Sequence, residues 1–212
     1  MSIPYNYIVI EGCIGAGKTT FSKMLAEDCN AELVLEQFAD NPFLPKFYED
    51  PVHYALPVEM HFLMERYRQL SRLLSARDMF KDFVVGDYFI DKCIIFSKNN
   101  LLPDEFNLYN TVFSTISSFL PKPELIVYLY NDPERLLQNI ARRGREYEKN
   151  ITAEYLSDIQ ESYMTYFRQN TNIPILLVQA ANLDFVTSHD DYLKIKNLLK
   201  QTYEVGIHRI SF

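Results

Sequence analysis

The sequence is short of cysteine and of positive charge, and it contains no long apolar run. Its three cysteines, Cys13, Cys29 and Cys93, are odd in number and scattered without CxxC spacing. That argues against a disulfide framework or a zinc site and predicts free thiols in a reducing cytosol. The histidines, His53, His61, His189 and His208, stand singly and lack ligand spacing. With 21 Lys and Arg against 28 Asp and Glu the formal net charge is −7. Nucleic-acid affinity comes chiefly from cations neutralising phosphates, so no nucleic-acid partner is expected and any phosphate must be held locally. Nothing approaches the roughly 20 apolar residues of a membrane span, and the opening "MSIPYNYIVIEG" has no basic segment before a long apolar one. The expectation is a cytoplasmic protein without a membrane partner. No repeat, low-complexity tract or Gly/Ser linker divides the 212 residues, which suit one compact domain over 1–212.

What is present alternates. "YIVI" (7–10), "ELVLE" (32–36), "DFVVGD" (82–87), "ELIVYLY" (124–130) and "IPILLVQA" (173–180) are short and mostly unalternating, as strands buried on both faces are. Between them lie helical patterns over 18–29, 58–74, 132–143, 152–167 and 189–200, the third opening on Asp132 and Pro133 as N-cap and first-turn residues. This predicts an α/β fold, a parallel sheet of about five strands with helices on both faces. Two insertions, Asp40 to Leu74 and Phe89 to Phe119, fall where excursions at the carboxyl ends of strands build a substrate chamber.

The first strand runs into "EGCIGAGKTT". Gly12-x-x-x-x-Gly17-Lys18-Thr19, between a strand and a helix, is the full phosphate-loop pattern. Glycines let successive N–H groups of Gly12, Cys13, Ile14, Gly15, Ala16, Gly17, Lys18, Thr19 and Thr20 curl around a phosphate. The helix N-terminus adds its positive end, Lys18 reaches the outer phosphates, and Thr19 can ligate Mg²⁺. ATP with Mg²⁺ is therefore the expected cofactor pair. Asp87, ending the third strand, is the candidate acidic partner of the metal.

A GTPase would need Asn-Lys-x-Asp, and the nearest string, "SKNN" at 97–100, lacks the aspartate. A kinase needs a lid that brings positive charge and excludes water, and "ARRGREYEKN" (141–150) has that composition. Glu36, at the end of the second strand, is placed to orient or deprotonate an attacking hydroxyl. Glu36, Glu59, Asp87 and Glu148 together predict an acidic chamber that favours an uncharged alcohol over a monophosphate. Two other readings stay open: another small-molecule or nucleoside monophosphate kinase on this fold, and an ATP-binding regulator with no acceptor.

"IEGCIGAGKTT", "LEQF", "NPFLPKFYEDP", "VEMHFLMERYRQL", "RRGREYEKNITAEYL" and "LDF" resemble, in order and near spacing, the deoxynucleoside kinase family over most of the chain. The resemblance implies phosphorylation of the 5′-hydroxyl of a deoxyribonucleoside, in nucleotide salvage, by a P-loop kinase with a lid over about 141–151. It implies Glu36 as the catalytic carboxylate, Tyr48 and Glu148 at the sugar 3′-hydroxyl, and Arg143 and Arg145 over the donor phosphates. Asp184 and Phe185 would lie near the donor adenine, Phe62 and Phe89 are candidates for stacking on the base, and a homodimer is expected.

Three departures bear on the base and the metal. Glu59 stands where the family usually has Gln, and Asn139 where many relatives place an arginine. The family's Glu-Arg-Ser is absent from "GDYFIDK". An ungapped match puts Asp87 at the arginine and Lys92 at the base-reading aspartate, whereas a shifted one gives Asp87 the metal and Asp91 the base. A carboxylate at 59 that accepts and a Lys92 that donates predict a purine, guanine slightly ahead.

Overall fold

A computed structural model describes residues 3–37, 41–170 and 172–212, with the side chains of Leu74 and Ser75 also left aside. Phe38, which ends the "LEQF" stretch, and Asp40, which opens the first insertion, lie outside the described residues.

β1 (Tyr7–Glu11) is apolar until its last residue and buried throughout. The phosphate-loop sequence ends it, and α1 (Lys18–Asp28) begins directly at the loop lysine. β2 (Glu32–Val34) is followed by α2 (Leu44–Glu49) and by α3 (Pro51–Ser75), which Asp50 caps by accepting from the His53 N–H. β3 (Val84–Gly86), α4 (Lys92–Asn100) and α5 (Pro103–Ser117) come next, then β4 (Leu125–Tyr130) and α6 (Pro133–Arg143). A 3₁₀ turn (Glu146–Glu148) leads to α7 (Ala153–Gln169), capped by Thr152 accepting from the Tyr155 N–H. β5 (Pro174–Gln179), α8 (His189–Leu198) and β6 (Gly206–Ile210) close the chain. Asp132 occupies the N-cap position of α6, as predicted, but its side chain makes no capping bond.

The strands form one parallel sheet in the order β2-β3-β1-β4-β5-β6. β1 lies between β3 and β4, with Val9 opposite Gly86 and Ile126. The inner strands β1, β3 and β4 are buried on both faces, consistent with their unalternating sequences and with flanking helices. Six strands replace the expected five. β6 was missed because "GIHRI" alternates between half-buried and exposed positions at the sheet's edge and shows no apolar run.

In this order the chain leaves β1 toward β3 and β2 on one side and toward β4 on the other. Ligands of parallel sheets bind in the crevice beyond the carboxyl ends at such a switch point. The phosphate loop, Glu36 and Asp87 follow β1, β2 and β3 at this end. β2 stops at Val34, two residues short of its predicted end, so Glu36 is released from the ladder into the crevice.

Candidate active site

The loop between β1 and α1 holds three glycines at positive φ: Gly12 (154°), Gly15 (84°) and Gly17 (87°). A Cβ on Gly15 would come within 2.7 Å of the Leu136 carbonyl oxygen, so the loop can lie against α6 only without a side chain there. Asn139 on α6 donates to the Gly15 carbonyl at 2.9 Å, tying the same two elements together. Cys13 is buried and its thiol is pushed up to about 12 by that burial, so it is inert; its carbonyl accepts from Lys18 Nζ at 3.0 Å. Beneath the loop, the fully buried Glu11 carboxylate accepts from the Gly12 N–H (3.1 Å) and the Tyr163 hydroxyl (2.8 Å).

Two clefts meet at this loop. The first is lined by Gly15 to Thr20, the α6 side chains Arg135, Asn139, Arg142 and Arg143, and the Asp184–Phe185 segment. Phe185 stands edge-to-face on Phe21 (5.4 Å, 85°) and against Gly17, so most of its ring is packing. Gly12 and Cys13 are buried behind the loop, and Ile14 faces the second cleft. Of the predicted ATP-binding residues, then, Gly15, Ala16, Gly17, Lys18, Thr19, Thr20, Asp184 and Phe185 share one cavity.

The second cleft is roofed by the two insertions. α2 supplies Tyr48, α3 supplies Glu59, Phe62 and Arg66, and α4 supplies Lys92 and Asn100; Asp87, Glu148 and Tyr155 complete it. All seven predicted substrate residues, Glu36, Tyr48, Glu59, Phe62, Asp87, Lys92 and Glu148, line it. Phe89 does not: it is buried in the core against Tyr166. Asp91 lies apart as well, in a groove with Tyr166 between α4 and α7. Gly15, Lys18, Thr19, Glu36, Arg143 and Arg145 line both clefts.

Glu36 stands at the junction. Oε1 accepts from Nε (2.9 Å) and Nη2 of Arg66, and Oε2 accepts from Lys92 Nζ at 2.8 Å. Burial alone would raise its pKa, but the Lys92 and Arg66 charges overcome it and hold the carboxyl far below the ordinary range. A carboxylate has about four lone-pair sites, so with three donors engaged Oε2 keeps one for a further partner. Asp87 sits alongside, accepting from the Thr19 hydroxyl on Oδ2 and from the Glu36 N–H on Oδ1 (2.7 Å). Lys92 is therefore engaged by Glu36.

At the far side, Arg143 chelates the buried Glu148 through Nε (3.1 Å) and Nη2 (2.6 Å), and Arg145 adds a bond at 3.2 Å. Tyr48 stacks on Tyr147 (6.2 Å, 10°) and so joins the lid to α2. The expected acidic chamber is corrected by these pairings. Lys18, Arg66, Lys92, Arg143 and Arg145 give five cations against the four carboxylates Glu36, Glu59, Asp87 and Glu148. Burial also lifts Glu59 to about 7. Charge alone does not repel a monophosphate here.

Sequence reasoning missed Arg66, Asn100, Tyr155, Arg135 and Glu11. Arg66 sits seven residues after Glu59, two helical turns along the same face of α3, and that period could have found it. The others come together only through the tertiary fold.

A match to the deoxynucleoside kinase family spans residues 8–204. The chain is 33% identical to deoxyguanosine kinase of Bacillus subtilis over 92% of this chain and 96% of that protein. It is 29% identical to deoxyadenosine kinase of Dictyostelium discoideum, over 96% and 81% respectively. Its fold superposes on deoxyadenosine kinase from M. mycoides with bound dATP at a TM-score of 0.79, covering 92% of this chain and all of that one; at 24% identity this likeness speaks to the fold. Family match, overall sequence likeness and the paired clefts on one parallel sheet agree, and the chain belongs to the deoxynucleoside kinase family.

Proposed function

We propose that the protein transfers the γ-phosphoryl group of ATP, bound with Mg²⁺, to the 5′-hydroxyl of a purine deoxyribonucleoside. The observation that carries this reading is the position of Glu36, a fixed carboxylate lining both the phosphate-loop cleft and the adjoining chamber. Lys18 and the loop amides grip the donor phosphates. The Thr19 hydroxyl and the Asp87 carboxylate, already in contact, fit a Mg²⁺ that takes one or two protein oxygens and completes its shell with phosphates and water. The metal neutralises charge on the donor phosphates when bound.

Within the loose transition state of phosphoryl transfer, little proton abstraction is needed before bond formation. A carboxylate held at low pKa is a weak base, so Glu36 orients the hydroxyl through the remaining lone pair on Oε2. Arg66 and Lys92 carry one positive charge beyond what Glu36 cancels, a preorganised field for the arriving phosphoryl oxygens. Arg143 and Arg145 reach the same oxygens from the lid, while Tyr48 and Glu148 take the 3′-hydroxyl and Phe62 flanks the base. Purine acceptors are favoured in keeping with relatives named deoxyguanosine and deoxyadenosine kinases.

The free thiols of Cys13, Cys29 and Cys93 suit a reducing cytoplasm, and among the described residues no helix is long and apolar enough to cross a membrane. Exposed Leu102 before α5, Leu108 within it and Phe119 after it support a homodimer, to be checked by sedimentation.

The test is an acceptor panel of deoxynucleosides, ribonucleosides and their monophosphates with ATP and Mg²⁺, read by product mass. Monophosphates of deoxynucleosides are the expected products. Conversion of monophosphates alone, or ATP turnover that no acceptor stimulates, would overturn the assignment.

A further inference from the structure

Glu59 is 3% exposed and lines the acceptor chamber, yet its two carboxyl oxygens differ in kind. Oε1 accepts from Asn100 Nδ2 at 2.7 Å. The Asn100 carbonyl oxygen is itself held by Asn99 Nδ2 (3.2 Å) and the Tyr155 hydroxyl (3.4 Å), so its amide nitrogen must face Glu59. Oε1 is thus an acceptor whatever the protonation state. Oε2 is buried without a hydrogen-bond partner.

A buried oxygen without a partner, on a side chain that lines a cavity, is a cost that a ligand can relieve. As an anion Oε2 can only accept a hydrogen bond; as the neutral acid it carries the proton and donates. Adenine and guanine differ at ring nitrogen N1 in this same sense: adenine presents a lone pair there, guanine an N–H. Resting on the deoxynucleoside kinase reading, we propose that Glu59 Oε2 reads N1 of a purine acceptor, the carboxylate selecting deoxyguanosine and the neutral acid selecting deoxyadenosine, so that base preference is set by pH.

The surroundings place this switch in the physiological range. Burial lifts the Glu59 carboxyl to about 7, opposed by the Asn100 bond and by Arg66 and Lys92, and reinforced by the negative charge of Glu36. From α4 Cys93, from α5 Tyr109 and from α7 Tyr155 also face it, and burial keeps all three neutral near pH 7. Arg66 and Lys92 remain charged and bonded to Glu36 throughout that range. Among the groups packed around it, Glu59 is the one lifted to near neutrality; Lys18, whose ammonium is pushed down by burial, also lines the donor cleft, so its charge bears on both acceptors alike.

The experiment measures kcat/KM for deoxyguanosine and for deoxyadenosine from pH 6 to pH 8 at saturating ATP and Mg²⁺. Neither base titrates in that interval, and ionisation of the donor affects both acceptors alike. If each acceptor selects one protonation state, the deoxyguanosine to deoxyadenosine ratio follows carboxylate over acid and rises about tenfold per pH unit, about a hundredfold in all. Each profile alone changes by roughly tenfold, rising for deoxyguanosine and falling for deoxyadenosine, so one working acceptor suffices. Glu59→Gln should flatten the ratio. Calorimetry of the wild-type protein in two buffers of different ionisation enthalpy should show proton release on binding deoxyguanosine and uptake on binding deoxyadenosine, independently of how the variant folds. A wild-type ratio constant across the range, or a slope retained in Glu59→Gln, overturns the proposal while leaving the kinase reading intact. Absence of turnover with every acceptor at every pH would remove both.

Discussion

Glu36 carries its charge because two cations hold it there, and those cations also weaken it as a base. In the proposed reaction its contribution is geometric, a fixed acceptor for one hydroxyl, which an amide cannot supply in the same charge state. Glu36→Gln should lower turnover by about 10² to 10⁴ while the affinity for ATP, measured by calorimetry, stays within a few-fold; near-normal turnover would remove the assignment. Glu59 behaves oppositely. With its folded pKa raised from 4.5 to about 7, the folded state binds more protons than the unfolded one between those values. The stability it contributes is complete below pH 4.5 and is lost as pH rises through 7. Glu59→Gln has no such titration, so urea denaturation should show the variant gaining on the wild type by on the order of 2 kcal/mol between pH 5 and pH 8. Parallel pH profiles of the two proteins would contradict the buried, neutral acid. Both glutamates were legible in the sequence, by strand-end position or by family spacing. The opposite shifts were not, since Arg66, Lys92 and Asn100 approach them only when α3 and α4 pack over the sheet ends.

At the scale of elements, the phosphate loop and α6 behave as one part. Gly15 meets the Leu136 carbonyl and accepts from Asn139, and the same helix ends in Arg142 and Arg143 before Gly144 at φ 71°. Gly15→Ala combines a left-handed backbone strain of about 1–2 kcal/mol with a clash against main chain that only a shift of α6 can relieve. ATP binding followed by calorimetry should weaken by about tenfold or more, with a lower melting temperature. Gly144→Ala, where an added Cβ meets nothing within 4 Å, suffers the strain alone and should leave ATP affinity nearer the wild type. Equal losses in the two variants would argue that backbone strain, and not contact with α6, dominates. Element types were readable where apolar runs were long, as in β1 and β4. Boundaries were not: β2 gave up Leu35 and Glu36 to the crevice, and β6, half-exposed beside β5, hid in an alternating polar segment.

Across the whole molecule, a chain of net charge −7 places eight of its 21 Lys and Arg around two clefts joined by Glu36 and the lid arginines. Arg143 and Arg145 both donate to Glu148, which is buried and chelated. A triphosphate entering the donor cleft offers those arginines a stronger partner, because charge-assisted bonds to phosphate compete directly with those to a carboxylate. Each arginine drawn toward the donor frees an acceptor site on Glu148, and the sugar hydroxyl of a nucleoside in the neighbouring chamber can then use it. Donor and acceptor should accordingly bind with positive coupling. By linkage the effect is reciprocal, and couplings of this kind run roughly 5- to 150-fold. Titrating a deoxynucleoside into the protein with and without a non-hydrolysable ATP analogue and Mg²⁺ should show tightening within that range. Glu148→Gln, which has no charge to hold the arginines in the first place, should bind the analogue at least as well and lose most of the coupling. An unchanged nucleoside affinity in the presence of the analogue would mean that the arginine clasp on Glu148 persists through the catalytic cycle and that the two clefts fill independently.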